Sequence, residues 1–218
     1  MPVADSRRRS VGRPKGSSIQ PHQSGSENLA AVALELFADL GYHAVSIKAI
    51  GDAAGVNAAM IYYYFQNKED LFRAGIERAV DQAFEHFASL RARHDNPKDV
   101  IDAWLGTHVE LFPTIRRMVK VSLDYKSSPL SLPSVDRCIA RFYAQEEEVL
   151  VSCIRQGAEM GLFDPPQSAP SIAKSISTFL DGVMIRSYIV PSFEPEKAIS
   201  EFGLVLWDLL GVRQDPTA

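Results

Sequence analysis

Apolar residues recur at three- and four-residue intervals through most of this chain, the spacing of amphipathic helices. Leu29, Val32, Ala33, Leu36, Phe37 and Leu40 form one stripe, closed by Gly41. Ile47, Ile50, Ala53 and Ala54 give a second, shorter helix its buried face, with Ser46 standing where an N-cap belongs. Gly55 can adopt the left-handed conformation that ends this helix and turns the chain sharply. Asn57 caps a third helix whose Ile61 and Phe65 point inward four residues apart. Ala58, Ala59, Met60, Tyr63 and Tyr64 then lie on or beside its other face. Asn67 is the N-cap of a long fourth helix running to about Leu90, with Leu71, Phe72, Ile76, Val80, Phe84 and Phe87 inside. Two short helices hinged at a glycine, the second carrying polar and aromatic groups, are the plan of a helix-turn-helix DNA reader.

The pattern stays helical beyond residue 93. Asn96 caps a fifth helix with Pro97 in its first turn, and Phe112-Pro113 marks the next boundary. Ser127–Ser134, with two prolines, reads as a loop before a long seventh helix over about Val135–Met160, ended at Gly161. Asp164-Pro165-Pro166 separates it from an eighth, about Pro170–Val190, and Pro191–Pro195 leads to a ninth ending near Leu210. The expected fold is therefore all-α, with about nine helices.

The run Leu36-Phe37, Gly41-Tyr42, Val45-Ser46-Ile47, Ile50, Ala53-Ala54-Gly55-Val56, Ile61-Tyr62, Phe65 and Lys68-Glu69-Asp70-Leu71 resembles the N-terminal domain of the TetR family of bacterial transcriptional regulators. The similarity covers roughly residues 28–72. It implies a homodimer with a three-helix DNA-binding domain over residues 26–72 and a larger helical ligand-binding and dimerisation domain over 73–218. Carried over position by position, it puts Asn57, Ala58, Ala59, Met60 and Tyr63 against the bases. Tyr62 would pack beneath the recognition helix and offer its hydroxyl to a phosphate, while Ser46, Lys48 and Tyr64 would touch the DNA backbone. Lys68, at the start of the fourth helix, would hold a phosphate with help from the helix dipole. Two positions depart from the family pattern. Gly51 stands where alanine is usual, a helix cost of about 0.5–1 kcal/mol. Asn-Ala-Ala-Met at the start of the recognition helix offers few groups for bidentate base contacts, which directs attention to thymine methyls, waters and DNA shape.

Charge changes the picture at the N-terminus. Residues 1–25 carry Arg7, Arg8, Arg9, Arg13 and Lys15 against Asp5 alone, a formal +4. The rest of the chain then holds 18 basic against 26 acidic residues, or −8, within a total of −4. Serine, glycine, proline and glutamine fill the segment, a composition expected to remain disordered. Gly12-Arg13-Pro14-Lys15-Gly16 resembles an AT-hook core, with Arg13 and Lys15 entering an A·T minor groove. The same residues also fit a solvated tail that adds only general phosphate attraction.

Partner signals lie further on. Ile176, Phe179, Leu180 and Val183 on the eighth helix, with Phe202, Val205, Leu206 and Leu209 on a ninth that is apolar nearly all round, ask to be covered on more than one side. They fit either the subunit's own core or, as the resemblance implies, a four-helix dimer bundle. Such a dimer would read half-sites about 34–36 Å apart, or a multiple of that. The resemblance also places a ligand cavity among the middle helices. Its candidate lining is Trp104, Phe112, Met118, Tyr125, Phe142, Tyr143, Phe163 and Phe179, each of which equally fits plain core. Arg116, Arg117 and Lys120 are either an attraction for an acidic ligand or a solvated face, and Glu146-Glu147-Glu148 reads as a solvated face.

No catalytic constellation emerges. The five histidines lack metal-ligand spacing, and nucleophile elbow, phosphate-binding glycine loop and paired-cysteine zinc pattern are all missing. Neither an enzyme nor a cofactor is expected. Cys138 and Cys153, about 22 Å apart along one helix, cannot pair with each other and suit a reducing cytoplasm as buried thiols. No apolar run approaches a membrane span, and the arginine-rich start lacks a signal-peptide hydrophobic region. The reading is a cytoplasmic, homodimeric regulator, most simply a repressor released from a palindromic operator by a small molecule. The alternative is a ligand-independent architectural or activating protein that works through the basic arm.

Overall fold

The computed structural model describes residues 21–129 and 131–212, and every regular element among them is an α-helix. In chain order these are α1 (Pro21–Leu40), α2 (Ile47–Ala54), α3 (Ala58–Tyr64), α4 (Lys68–Arg91), α5 (Pro97–Glu110), α6 (Phe112–Lys126), α7 (Pro133–Glu159), α8 (Ala169–Ile189) and α9 (Pro195–Leu209). α1 starts inside the segment expected as an arm over 1–25, and α7 starts two residues before the expected Val135. Arg13 and Lys15, with the rest of the arm through residue 20, lie outside the described residues.

The short polar residues at the helix starts do the capping that their chemistry permits. Ser46 Oγ accepts from Ala49 N, Asn57 Oδ1 from Met60 N, Asn67 Oδ1 from Asp70 N and Asn96 Oδ1 from Lys98 N. Gly55, at φ 70°, closes α2 in the left-handed conformation, and Val56 N then bonds back to Gly51 O at 2.9 Å. The same turn explains Gly51. A β-carbon there would lie 2.7 Å from Val56 O, so the helix-propensity cost of glycine accompanies a close backbone approach.

The stripe on α1 is rotated from the expected one. Leu29, Ala30, Ala33, Leu34, Phe37 and Ala38 are buried, whereas Val32 and Leu36 are half-buried and Leu40 is exposed. α4 is the reason, since it lies along the Ala30–Leu34 side so closely that a β-carbon at Gly75 would sit 3.0 Å from Ala30 O. On α2 only Ile50 and Gly51 are buried, and Ala53 faces solvent.

Two apolar clusters fill the molecule, and α4 contributes to both. Its first half, Leu71 through Val80, joins α1, α2 and α3 to Met118, Val119 and Tyr125 of α6 and to Cys138 and Phe142 of α7. Near its other end Phe87 joins Trp104 of α5 to Leu150 and Ile154 of α7 and to Ile172, Ile176 and Leu180 of α8, with Leu206 of α9. Phe84 packs against both clusters. The first of them runs across residues 72–73 without a break, so the expected domain boundary falls inside a helix and inside a core.

Lys68 fastens the turn between α1 and α2. Its Nζ donates to Tyr42 O at 2.9 Å and Val45 O at 3.0 Å, and it sits 4.2 Å from the centroid of the Tyr42 ring. Partial burial holds its pKa below the usual lysine value. Two of the three ammonium donors are thus committed within the protein. Replacing Lys68 with Ala strands two carbonyls and is expected to destabilise the fold by about 1–3 kcal/mol. Thermal unfolding reads this directly, and an unchanged melting temperature would remove the fastening role.

Candidate nucleic-acid interface and buried polar core

α3 is a seven-residue helix held from below and bare above. Ile61 is fully buried, and Phe65, its C-cap, is buried behind it. Ala58, Ala59, Met60, Tyr62 and Tyr63 are all exposed, Tyr63 at 65 %. A bare run of methionine and tyrosine beside two alanines is an unusual surface for a small helix to leave open. Tyr62 was expected beneath the helix, but it stands on the outer side, because Ile61 and Phe65 already fill the inward positions. Tyr64 is half-buried, its ring edge-on to Tyr63 at 5.0 Å and its hydroxyl against Gly25 of α1.

The polar residues around α3 are partly occupied. Asn57 and Ser46 spend an oxygen each as caps, and exposed Lys48 pairs with Asp52 at 2.7 Å. Lys68 sits at the junction of α1, α2 and α4 as described, with one donor left over. The structure thus brings Ser46, Lys48, Asn57–Met60, Tyr62–Tyr64 and Lys68 into one small region, where capping and surface positions are shared by the same residues.

The eight aromatic and methionine residues expected around a ligand do not converge on one space. Met118, Phe142 and Tyr143 line a cavity of about 10 Å³ with Ser122 and Ile139, roughly the volume one water needs. Trp104 lies one ring away, since Phe84 contacts both it (5.8 Å) and Phe142 (5.7 Å). Tyr125 instead locks the α6–α7 loop, accepting from Leu132 N at 2.7 Å and lying 3.1 Å from Asp136 Oδ1. Phe112 carries Arg116 over its ring, Phe163 packs on Gly157 at the end of α7, and Phe179 stacks on Phe202 at 3.9 Å. Arg117 pairs with Glu35, Lys120 with Asp124, and Arg116 lies over Tyr188, so that trio is engaged on the subunit's own surface.

Beside the rings lies a polar group that the sequence reading missed. Glu146 was read as part of a solvated face, yet it is 2 % exposed, while Glu147 and Glu148 are exposed. Its position gives the reason, as it falls one turn after Phe142 and one before Leu150 on the buried side of α7. The Ser177 hydroxyl donates to it, and on the same two helices the Tyr143 hydroxyl donates to Asp181 at 2.9 Å. Burial, reinforced by the Asp181 charge, pushes the Glu146 carboxyl up to about 7. Trp104 Nε1 is buried without a hydrogen-bond partner among the described residues. His108 Nδ1 meets Trp104 O at 2.9 Å, and burial pushes that imidazole down to about 4.

A second apolar surface lies between α8 and α9. An open groove of about 660 Å³ is lined by Phe179, Gly182, Val183, Phe193, Phe202 and Val205, with Arg186 and Glu201 among them. Leu204, Val205 and Leu209 of α9 are exposed, Leu204 at 71 %. Of the residues expected at a dimer interface, Ile176, Leu180 and Leu206 are buried in the subunit's own core and stand behind this face. Val183 is buried as well but reaches the groove, whereas Phe179, Phe202, Val205 and Leu209 retain exposed surface. None of the described helices is long and apolar enough to cross a membrane.

Residues 29–74 match the family described as bacterial regulatory proteins, tetR family. The HTH-type transcriptional repressor ComR of Escherichia coli K12 is 25% identical over 178 residues, 80% of this chain and 85% of that protein. The HTH-type transcriptional activator FasR of Mycolicibacterium smegmatis is 34% identical over 94 residues, 41% of this chain and 43% of its own. A putative transcriptional regulator from Saccharomonospora viridis, solved in complex with choline, superposes with a TM-score of 0.76 at 20% identity, covering 88% of this chain and 100% of that one. With its all-helical fold, its exposed α3 and these relatives, the chain belongs to the TetR family of bacterial transcriptional regulators.

Proposed function

We propose that this protein is a homodimeric repressor that binds a palindromic operator in the cytoplasm and is released from it by a small molecule. The observation that carries the reading is the double membership of α4, whose first half packs on the helix-turn-helix and whose second half packs on the rings and polar groups of the body. A ligand that reshapes the second cluster therefore acts on the helix from which the DNA-reading head is hung. It needs only to prefer the arrangement that does not fit DNA. In this reading Ala58, Ala59, Met60, Tyr62 and Tyr63 meet the groove, while Ser46, Lys48, Asn57 and Tyr64 flank it. The third donor of Lys68 is available to a phosphate, and Arg13 and Lys15 add phosphate contacts from outside the described residues. Activation is the second reading, favoured by the FasR relative.

The dimer follows from the cost of leaving the α8–α9 face wet. A groove walled by two stacked phenylalanines and flanked by exposed Leu204, Val205 and Leu209 is the apolar surface a subunit hides against its own kind. For the effector, Glu146 and Asp181 supply negative character beside Tyr143, Phe142 and, through Phe84, Trp104. Rings with one buried and one half-buried carboxyl suit an organic cation, the chemical type of the choline held by the Saccharomonospora viridis protein. The closed cavity requires the rings to part as the ligand enters.

Three measurements test the reading. Selection of bound sequences from a random DNA pool by the full-length protein is expected to recover an inverted repeat; asymmetric A·T-rich sequence alone would hand the function to the arm. Val205→Glu is expected to give monomers in sedimentation and to weaken operator binding at least about tenfold, because the two half-sites no longer bind as one. A dimer that persists would move the interface elsewhere. Glu146 adds a pH signature. Its pKa is raised in the folded state, so its contribution is full below the unfolded value and is lost as pH rises through about 7. Between pH 5 and 8 the protein should lose about 2 kcal/mol of stability that Glu146→Gln does not lose. Parallel curves for the two proteins would place the carboxyl in water.

A further inference from the structure

We infer that α3 reads its half-site mainly through the 5-methyl groups of thymines, without a hydrogen-bonded pair directed at guanine. The inference rests on the reading of α3 as the recognition helix and names what that helix recognises. Of the base edges in the major groove, guanine is read best by a fork of donors and adenine by an amide that donates and accepts together, while thymine alone offers a methyl group.

α3 carries no arginine, lysine, glutamine or asparagine: its seven residues are Ala58, Ala59, Met60, Ile61, Tyr62, Tyr63 and Tyr64. Asn57, the one amide at its start, has its carbonyl oxygen committed to Met60 N at 2.9 Å. That oxygen keeps a second lone pair, but the cap ties the amide to the start of the helix, away from free use in a paired contact with adenine. Lys48 on α2 is held by Asp52 at 2.7 Å, and two donors of Lys68 are held by Tyr42 O and Val45 O. What remains on the open face is apolar or aromatic surface. Ala58 and Ala59 are short enough for close approach, Met60 is long and adaptable, and the Tyr62 and Tyr63 rings flank them. Each of these side chains can cover a methyl group, whereas a tyrosine hydroxyl donates and accepts through one atom and offers no two-pronged fork. The half-site under α3 is therefore expected to hold thymines where a guanine-reading helix would hold guanines.

The test uses the full-length protein and a duplex recovered from the random pool. Deoxyuridine replaces thymidine throughout both half-sites, which removes only the methyl groups, and in a second duplex 7-deazaguanine replaces guanine, which removes the N7 acceptor. Fluorescence anisotropy is expected to show binding weakened about tenfold or more by uracil and changed less than about twofold by 7-deazaguanine. Met60→Ala, an exposed substitution that leaves the core untouched, should bind the thymine duplex less tightly and shrink the thymine–uracil difference. Equal binding of the uracil duplex, or a tenfold loss with 7-deazaguanine, overturns the inference while leaving α3 a DNA reader. Failure to recover any preferred sequence overturns both.

Discussion

Phe72 is where the two halves of this protein are joined. Its ring meets Phe37 of α1 edge-on at 5.2 Å and Tyr42 at 4.9 Å, and from the same place it contacts Tyr125 of α6 at 5.9 Å. Tyr125 is in turn tied through its hydroxyl to Leu132 and Asp136 at the start of α7. One buried side chain thus couples the helix that supports the DNA-reading head to the helices of the body. Close-packed interiors transmit displacement because a gap between rings forfeits contact that nothing replaces. α1 also packs on α6, where Arg117 pairs with Glu35, so a tilt of the head requires side chains on both sides of Phe72 to repack.

How much of this could be read from the sequence depends on whether the information was local. Ser46, Asn57, Asn67 and Asn96 cap the helices they were expected to cap, since a capping oxygen needs only the next turn. Gly41, Gly55 and Gly161 sit at positive φ where helices were expected to end. What escaped was set by neighbours distant in sequence. The α1 stripe rotated toward α4, Tyr62 turned outward because Ile61 and Phe65 fill the inward positions, and Lys68 found carbonyls 23 and 26 residues away. Glu146 was hidden among two other glutamates, although its offsets from Phe142 and Leu150 place it on their buried side. The ring residues were legible as core and not as a shared site, because helix register alone does not say which rings meet across helices.

The polar core carries a cost that the fold alone has no use for. A carboxyl 2 % exposed, with a serine for its partner and another acid pushing against it, is disfavoured in its charged form. An apolar residue of similar size would pack there without that penalty. Trp104 Nε1, buried without a hydrogen-bond partner among the described residues, adds an unsatisfied donor to the same cluster of helices. Groups of this kind concentrate at functional sites, and here Trp104 meets Phe84, a ring packed against both cores, while Glu146 lies one turn from Phe142, which meets Phe84 too. A ligand that satisfies them has free energy available to part the rings.

The chemistry of α3 bears on how far α4 must then move. A long charged side chain can follow a retreating phosphate or guanine through several rotamers, so a head built from arginines tolerates some tilt. Contact between alanine, methionine or tyrosine and a methyl group has no such reach. A radial gap of only about 0.5–1 Å gives up a quarter to a half of the attraction. Ala58 and Ala59 cannot extend at all, and the Tyr63 ring is braced edge-on by Tyr64, whose hydroxyl rests on Gly25 of α1. A head that reads by close apolar fit is thus released by smaller displacements than one that reads by charge, which is the property a switch needs when its lever is a single helix packed tightly at both ends.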